Sequence, residues 1–270
     1  MDEKRSSSPP NDVWASGEAY ESYVGRWSRI VAKHFLLWLE TPPGSLWVDV
    51  GSGTGALTQA ILEHASPQTV KGIDSAEGFI TYASQRITDS RVSFQHGDAQ
   101  ALPAETAVYD AVVSGLVLNF VPNPEQAVRE MARAARPGGL VAVFVWDYAS
   151  NMQFMRHFWN AAATLDPAAA GMDEGRRFPL CSPGPLSSLF LSVGLTIVDV
   201  RPIDIWTTFK DFDDYWKPFL GGQGPAPSYL MSLGEEGRDA LRERIRSALP
   251  YAVDGSIPLM ARAWAVRGFR

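Results

Sequence analysis

The sequence is poor in the residues that build several common kinds of site. Its 270 residues include one cysteine, Cys181, so an intramolecular disulfide and a cysteine zinc cluster are excluded. The four histidines lack the short spacing of metal ligands, and we predict no metal ion. No apolar run approaches the roughly 20 residues of a membrane helix, and the polar N-terminus does not resemble a secretory signal. These absences predict a cytoplasmic protein with no membrane partner.

Basic residues are also outnumbered. The chain has 24 Lys and Arg against 30 Asp and Glu, a net charge of -6, and no long basic block. We therefore predict no nucleic-acid partner. The hydrophobic fraction of 46% is enough for the core of one α/β domain with insertions. We predict a disordered tail at 1–12 and a single domain at 13–270, and the oligomeric state stays open.

One stretch combines a buried strand with a glycine-rich turn. The apolar run Leu46–Val50 leads into Gly51, Gly53 and Gly55, and residues 56–65 follow with a helical pattern. Such a turn lets backbone N–H groups approach a ligand closely, and the helix N-terminus favours negative charge. The stretch therefore predicts a nucleotide-binding turn, with a tight ligand-free connection as the alternative.

The same turn fits the dinucleotide fingerprint G-x-G-x-x-G/A. Gly51, Gly53 and Ala56 occupy the fixed positions, and Asp74 follows where an acidic residue would hold a ribose. Taken alone, this pattern leaves an NAD(P)-dependent oxidoreductase open.

Apolar runs and amphipathic segments alternate along most of the chain. Strands after the first are predicted at 69–73, 92–95, 109–114, 140–146, 195–205 and 260–267. Helices are predicted within 13–40 and at 77–88, 124–136, 152–165, 186–193 and 235–249. Valine-rich strands that alternate with amphipathic helices predict a doubly wound parallel sheet of the α/β class.

Several of these stretches together resemble the class I S-adenosylmethionine (SAM) methyltransferases. The resemblance is to the small-molecule branch that includes the ubiquinone and menaquinone C-methyltransferases. In its first motif an acidic strand end, here Asp49, precedes G-x-G-x-G, whose last glycine is Gly55. The matching stretches are 48–55, 72–77, 97–103, 109–114 and 136–140. The resemblance implies a Rossmann-like, mostly parallel seven-stranded sheet with an antiparallel last strand.

The resemblance also implies SAM as cofactor and assigns its binding positions. Asp74 would accept hydrogen bonds from the ribose hydroxyls and Asp98 from the adenine amine, while the Ala99 backbone would donate to the ring. A helix cap is the alternative role of Asp74, and a turn that of Asp98. An N-terminal helical cap at 13–41 would cover the cofactor, with Arg26 on its carboxylate. The implied cofactor positions are Asp49, Gly51, Ser52, Gly53, Gly55, Asp74, Ser75, Asp98, Ala99, Gln100, Ser114, Gly115 and Leu116, with Tyr23, Arg26 and Trp27 from the cap.

The acceptor is less well indicated. Asn119 stands where quinone-type relatives often have a histidine, and the signature of DNA amino-methyltransferases is absent. We predict substrate contacts from Asn119, Trp146, Trp216 and Tyr229. The last two lie in an aromatic insertion at 206–249, which is predicted to be a lid over the acceptor pocket or, alternatively, ordinary core. A lid of this composition predicts a small, apolar or aromatic acceptor.

Candidate catalytic bases follow the fifth predicted strand. They are Asp147, Tyr148 and His157, whose alternative roles are a turn residue, an aromatic wall and an exposed helix residue. The predicted function is methyl transfer from SAM to a small molecule. An NAD(P)-dependent oxidoreductase and a non-catalytic SAM-binding regulatory module are the alternatives.

Overall fold

The computed structural model describes residues 25–221 and 224–270. The predicted tail at 1–12, the first part of the predicted cap, and Tyr23 lie outside the described residues.

Strands and helices alternate through the first half of the chain. The strands are β1 (Leu46–Val50), β2 (Thr69–Asp74), β3 (Val92–His96), β4 (Tyr109–Gly115), β5 (Ala135–Trp146), β6 (Thr196–Trp206) and β7 (Met260–Phe269). The helices are α1 (Arg26–Leu39), α2 (Ala56–His64), α3 (Glu77–Arg86), α4 (Pro124–Ala134), α5 (Gln153–Leu165), α6 (Glu174–Arg177), α7 (Pro183–Ser192), α8 (Phe212–Trp216), α9 (Pro225–Ser232) and α10 (Glu235–Ala248). Short 3₁₀ helices lie at Leu118–Phe120, Pro167–Gly171 and Lys217–Gly221.

The seven strands form one sheet in the order β3-β2-β1-β4-β5-β7-β6. Strands β1 to β5 run parallel, and β7 is antiparallel to both β5 and β6. The predicted fold is confirmed. The strand order reverses between β1 and β4, and open α/β sheets bind their ligands outside the carboxyl ends of strands at such a point.

The boundary between α4 and β5 differs from the prediction. Residues 137–139 were expected to form a turn before a strand at 140, but β5 already begins at Ala135, directly after α4. Ala135 pairs with Tyr109 of β4, and the backbone N–H of Gly138 donates to the Arg270 carbonyl oxygen at 2.9 Å. These partners hold the backbone extended before the central part of the strand.

The first part of the predicted insertion at 206–249 folds into α8, a 3₁₀ helix and α9. Its side chains pack on α5, with Phe219 stacked on Phe154 at 4.5 Å between ring centroids. The Tyr215 hydroxyl donates to the Phe154 carbonyl oxygen at 2.8 Å. We call this group the aromatic cluster. Its members are Phe154, Phe158, Trp159, Phe209, Phe212, Tyr215, Trp216, Phe219 and Tyr229, all of them buried.

The aromatic cluster corrects the predicted lid. Trp216 and Tyr229 are only 7% and 6% exposed and belong to the hydrophobic core. The core alternative is the one observed, because α5 offers these rings an apolar face. Trp206, at the start of the same stretch, is 67% exposed and lies outside the cluster.

Candidate active site

A cavity of about 340 Å³ opens at the carboxyl ends of β1, β2, β4 and β5. Its volume falls at the lower end of the roughly 300–1,000 Å³ that is typical of small-molecule sites. Helix α1 contributes to its wall from outside the sheet. The described residues that line it are Ser28, Gly51, Ser52, Gly53, Thr54, Ala56, Leu57, Asp74, Ser75, Ala76, Phe79, Gly97, Asp98, Ala99, Gly115, Leu116, Val117, Phe120, Val121, Pro122, Trp146 and Tyr148.

The glycine turn after β1 is held tightly against the loop after β4. The backbone N–H groups of Gly51 and Ser52 both donate to the Ile73 carbonyl oxygen, at 2.7 and 3.0 Å. Gly51 has a φ of +72°, and a Cβ there would lie 2.6 Å from both γ-carbons of Val117. Only glycine combines this backbone angle with this close approach, so the turn forms a narrow floor for the cavity.

Asp74 at the end of β2 connects the glycine turn to α3. Its Oδ2 accepts from the Gly53 backbone N–H at 2.9 Å, and its Oδ1 accepts from the Ala76 backbone N–H at 2.8 Å. Burial raises the pKa of this carboxyl, and the two backbone hydrogen bonds oppose the rise. A carboxylate has about four acceptor sites, so these bonds leave capacity for a ligand in the cavity.

Asp98 lines the cavity on a turn that Gln100 stabilises. The backbone N–H of Gln100 donates to Asp98 Oδ1 at 2.8 Å, and the Gln100 side-chain amide donates to the same carboxylate at 3.2 Å. Asp98 and Ala99 therefore lie at the cavity as the sequence predicts. Gln100 does not line it and orients Asp98 from behind.

Three further predicted cofactor positions lie beneath the cavity wall. Asp49 accepts from Thr58 Oγ1 at 2.7 Å, and burial raises its pKa to about 7. Ser114 Oγ donates to the Val50 carbonyl oxygen at 2.7 Å, and Gly55 precedes α2. These residues connect β1 to its neighbours and support the turn.

A second group of lining residues lies at or after the ends of β4 and β5 and is uncharged. Its members, which we call the aromatic half of the cavity, are Phe120, Val121, Pro122, Trp146 and Tyr148. Phe79, on α3, lies beside the 74–76 run instead, because its backbone N–H donates to the Ala76 carbonyl oxygen at 3.0 Å. Of the described lining residues, only Asp74 and Asp98 carry a charge. The cavity therefore has an acidic half next to an uncharged aromatic half.

The backbone is strained between these halves. Leu116 lines the cavity with a φ of +63°, in the left-handed region that is rare for a residue with a side chain. Its backbone N–H donates to the Phe144 carbonyl oxygen at 2.7 Å, which holds the strained angle. Strain of this kind costs roughly 1–3 kcal/mol and is concentrated at functional sites.

The predicted contacts of the N-terminal cap are corrected. Arg26 Nη1 donates to Asp214 Oδ1 at 2.9 Å, and the guanidinium lies 4.5 Å from the Trp27 ring centroid. Trp27 packs edge-to-face on Phe209 at 5.7 Å. Neither Arg26 nor Trp27 lines the cavity, because both are engaged by the segment around α8. Ser28, one residue further, is the contribution of α1 to the wall.

Some of the candidate bases and acceptor residues line the cavity, and the others do not. Tyr148 and Trp146 line the cavity, whereas Asp147 accepts from the Ser150 backbone N–H at 3.1 Å as a turn residue. His157 lies on α5 away from the lining, and burial lowers its pKa. Both amide atoms of Asn119 are buried without a partner among the described residues, yet Asn119 does not line the cavity.

The acceptor contacts predicted for the lid are not observed at the cavity. Trp216 and Tyr229 belong to the aromatic cluster, and the Tyr229 hydroxyl donates to Asp166 Oδ2 at 3.4 Å. The structure therefore does not bring them together with Trp146 and Tyr148.

Sequence reasoning missed several lining residues. Phe120, Val121 and Pro122 directly follow β4, so the rule that ligands bind outside strand ends could have found them. Ser28 and Phe79 lie on helices whose place over the sheet is a tertiary property, and their sequence surroundings give no such signal.

The fold and the cavity define an α/β protein with a cofactor-type site at the carboxyl edge of its sheet. A family profile described as "Methyltransferase domain" matches residues 48–143. The demethylmenaquinone methyltransferase of Halalkalibacterium halodurans is 31% identical over 173 residues, which cover 59% of this chain and 71% of that protein. The chain belongs to the class I SAM-dependent methyltransferases.

Other relatives are matched over a smaller share of their length. The demethylmenaquinone methyltransferase of Shouchella clausii is 33% identical over 107 residues, covering 38% of this chain and 46% of that protein. Rice 2-methyl-6-phytyl-1,4-hydroquinone methyltransferase 1 is 32% identical over 96 residues, and the match covers 36% of this chain and 29% of that protein.

Two solved structures share the fold. The YcgJ protein from Bacillus subtilis has a TM-score of 0.59 at 17% identity, covering 89% of this chain and 98% of that chain. Phosphoethanolamine N-methyltransferase 2 from Haemonchus contortus, in complex with SAM, has a TM-score of 0.58 at 17% identity, covering 94% of this chain and 56% of that chain. In the part of the chain that the structure describes, no helix is long and apolar enough to span a membrane.

The residues at the cavity fit the cofactor of this family. The ribose hydroxyls and the adenine amine of SAM are hydrogen-bond donors, and Asp74 and Asp98, the only charged side chains of the described lining, are acceptors. The Ser52 hydroxyl oxygen is buried and has no partner among the described residues, and Ser52 lines the cavity. The lack of a Cβ at Gly51 lets the Val117 side chain pack against the turn, so that it does not have to move into the cavity.

Proposed function

We propose that the protein transfers a methyl group from SAM to a small, neutral acceptor that is apolar or aromatic. One observation carries the proposal: a single cavity joins the glycine turn and its two carboxylates to an uncharged aromatic half. The cofactor would occupy the first half and the acceptor the second. The cytoplasmic location and the lack of a nucleic-acid partner stay predictions from the composition.

The acidic half would hold the nucleoside part of the cofactor. Asp74 would accept from the ribose hydroxyls with the acceptor sites that Gly53 and Ala76 leave free. Asp98 would accept from the adenine amine, with Gln100 keeping its carboxylate in place. Gly115 and the strained Leu116 would face the reacting end.

The aromatic half would bring the acceptor to the methyl group. SAM, when bound, supplies an electrophilic methyl group on a sulfonium that is a good leaving group. Phe120, Trp146 and Tyr148 would exclude water and hold the acceptor in line with the methyl group, which is the main contribution a protein makes to such a transfer. Of the three candidate bases, Tyr148 alone is among the described lining residues, which supports a role for its hydroxyl in holding a proton near the acceptor.

The names of the relatives support an aromatic acceptor. Demethylmenaquinone and 2-methyl-6-phytyl-1,4-hydroquinone, from which those methyltransferases are named, both contain a quinone or hydroquinone ring. The aromatic half, with Phe120 and Tyr148, favours an acceptor with a flat uncharged ring, because aromatic rings stack on one another at little desolvation cost.

Asp74 tests the proposal. Hydrogen bonds to charged groups contribute roughly 1.5–3 kcal/mol, so Asp74→Ala should weaken SAM binding about tenfold to a hundredfold. Calorimetric titration with SAM and with NADH measures this, and Asp89→Ala is the control because Asp89 pairs with Arg91 away from the cavity. Formation of S-adenosylhomocysteine (SAH) with hydroquinones and phenols reports turnover. NADH binding, or unchanged SAM binding in a folded Asp74→Ala variant, would contradict the proposal.

A further inference from the structure

Phe178 lies directly behind the aromatic half of the cavity. Its ring packs edge-to-face on Phe120 at 5.1 Å between centroids and is tilted against Tyr148 at 5.8 Å. Phe120 comes from the loop after β4, and Tyr148 comes from the loop after β5. Phe178 itself does not line the cavity. One partly buried ring therefore contacts two wall residues that follow different strands.

The segment that carries Phe178 also touches the backbone of the wall. A Cβ added at Gly175 would lie 2.8 Å from Ala149 Cα and 3.0 Å from the Tyr148 carbonyl oxygen. Helix α6 is thus in main-chain contact with the residues that follow β5. A displacement of α6 would be transmitted to Tyr148, because no side chain lies between them to absorb it.

Helix α5 fixes this segment from the opposite side. Arg156 forms a two-pronged ion pair with Asp173, whose carboxylate also accepts from the Gly175 backbone N–H at 2.8 Å. The Trp159 indole N–H donates to Glu174, which is 2% exposed. Ordered ion pairs and hydrogen bonds of this kind restrict the segment to one position, as the orientation of a functional wall requires.

We propose that Phe178 is a positioning residue that sets the spacing of Phe120 and Tyr148 and so selects planar, neutral aromatic acceptors. This inference rests on the proposed function, since it concerns the acceptor half of the same cavity. Loss of the Phe178 ring lets Phe120 and Tyr148 move toward the vacated volume, and the slot for the acceptor loses its shape. The cofactor half should be unaffected, because the aromatic contacts of Phe178 are with Phe120 and Tyr148.

The experiment uses 2-naphthol, a neutral bicyclic phenol, as the acceptor probe and SAH as the cofactor probe. Calorimetry measures SAH binding to the full chain and then 2-naphthol binding to the SAH-loaded protein. Phe178→Ala should weaken 2-naphthol binding about tenfold and leave SAH affinity within about twofold. The control is Phe190→Ala, which removes a fully buried ring of α7 outside the cavity lining and should leave both affinities within about twofold.

A second variant reaches the wall without removing the ring. Gly175→Ala should push Tyr148 and weaken 2-naphthol binding, whereas Gly171→Ala, where nothing lies within 4 Å of an added Cβ, should not. If Phe178→Ala does not fold, Gly175→Ala decides the matter. Equal 2-naphthol affinity in the wall variants and their controls, or no saturable binding to the wild-type SAH complex, would overturn the inference. A wild-type protein that binds neither SAM nor SAH would overturn the proposed function itself.

Discussion

The two halves of the cavity are built in different ways. The cofactor half uses short continuous runs at 51–54, 74–76 and 97–99, each at the end of one strand. The aromatic half combines the run at 120–122 with Trp146 and Tyr148 at the end of β5, and the Phe120 and Tyr148 rings pack on Phe178, which follows α6. The matched family profile at 48–143 contains the first half completely and ends before Trp146 and Tyr148.

The cofactor half depends on local structure and the aromatic half on long-range packing. Backbone angles and strand-end hydrogen bonds shape the cofactor half, so adding one atom in the glycine turn changes the shape of the site directly. Side-chain packing several layers deep shapes the aromatic half, so its form depends on elements such as α5 and α6. Relatives can therefore share the first half and differ in the second.

The largest effect is expected outside both halves, in the aromatic cluster. Trp216→Ala removes a ring that is 7% exposed and stacked on Phe212, and it should lower the free energy of unfolding by about 3–5 kcal/mol. Affinity for SAM should stay within about twofold, because Trp216 does not line the cavity. Urea unfolding and calorimetric titration measure the two quantities.

Trp206→Ala is the matched control for this prediction. Trp206 belongs to the same stretch of chain but is 67% exposed, so its removal should change stability by less than about 0.5 kcal/mol. Normal stability of Trp216→Ala combined with weaker acceptor binding would restore the lid interpretation.

The next largest effect is a loss of SAM affinity from a change in the cofactor half alone. Gly51→Ala forces a side chain into a φ of +72° and places its Cβ 2.6 Å from the Val117 γ-carbons. Val117 lines the cavity and must move into it, so SAM affinity should fall roughly a hundredfold, or about 2.8 kcal/mol. Calorimetric titration of the folded variant provides the measurement.

Gly138→Ala separates backbone strain from close approach. Gly138 has a φ of +73° with nothing within 4 Å of an added Cβ. The Gly138→Ala variant should lose about 1–2 kcal/mol of stability from the left-handed angle alone and bind SAM normally. Equal effects of the two substitutions on SAM binding would show that the contact with Val117 is not what shapes the turn.

The last effect is a pH dependence in the support of the aromatic half. Burial raises the pKa of Glu174 to about 8 from its ordinary value of 4.5. The folded protein therefore holds a proton that the unfolded chain has released between these two pH values. The stability contributed by Glu174 is complete below pH 4.5 and is lost as the pH rises toward 8, by up to about 1.4 kcal/mol per pH unit.

Glu174→Gln should remove this pH dependence. The glutamine oxygen can still accept from the Trp159 indole N–H, and the side chain has no proton to lose. Unfolding in urea at several pH values between about 5.5 and 8 should therefore give a flatter profile for Glu174→Gln than for the wild type. The exposed Glu63→Gln variant should keep the wild-type slope, and a wild-type slope in Glu174→Gln would refute the assignment.

The sequence alone determined the βα order, the doubly wound sheet and the place of the glycine turn. Strand and helix periodicity and the strand–glycine–helix pattern are local properties, and they act over a few residues at a time. The family resemblance placed Asp74 and Asp98 at the cofactor site, and its motifs are likewise local: Asp74 ends β2 and Asp98 lies two residues after β3.

Only the tertiary structure decided the partners of the remaining predicted residues. Arg26 meets Asp214 across 188 positions of sequence, and Tyr229 packs on Phe158 and Trp159 of α5. The raised pKa of Glu174 follows from its burial, which no local pattern encodes. Burial and pairing depend on which surfaces meet when helices and loops pack on the sheet, and a free energy of packing is a property of the whole fold.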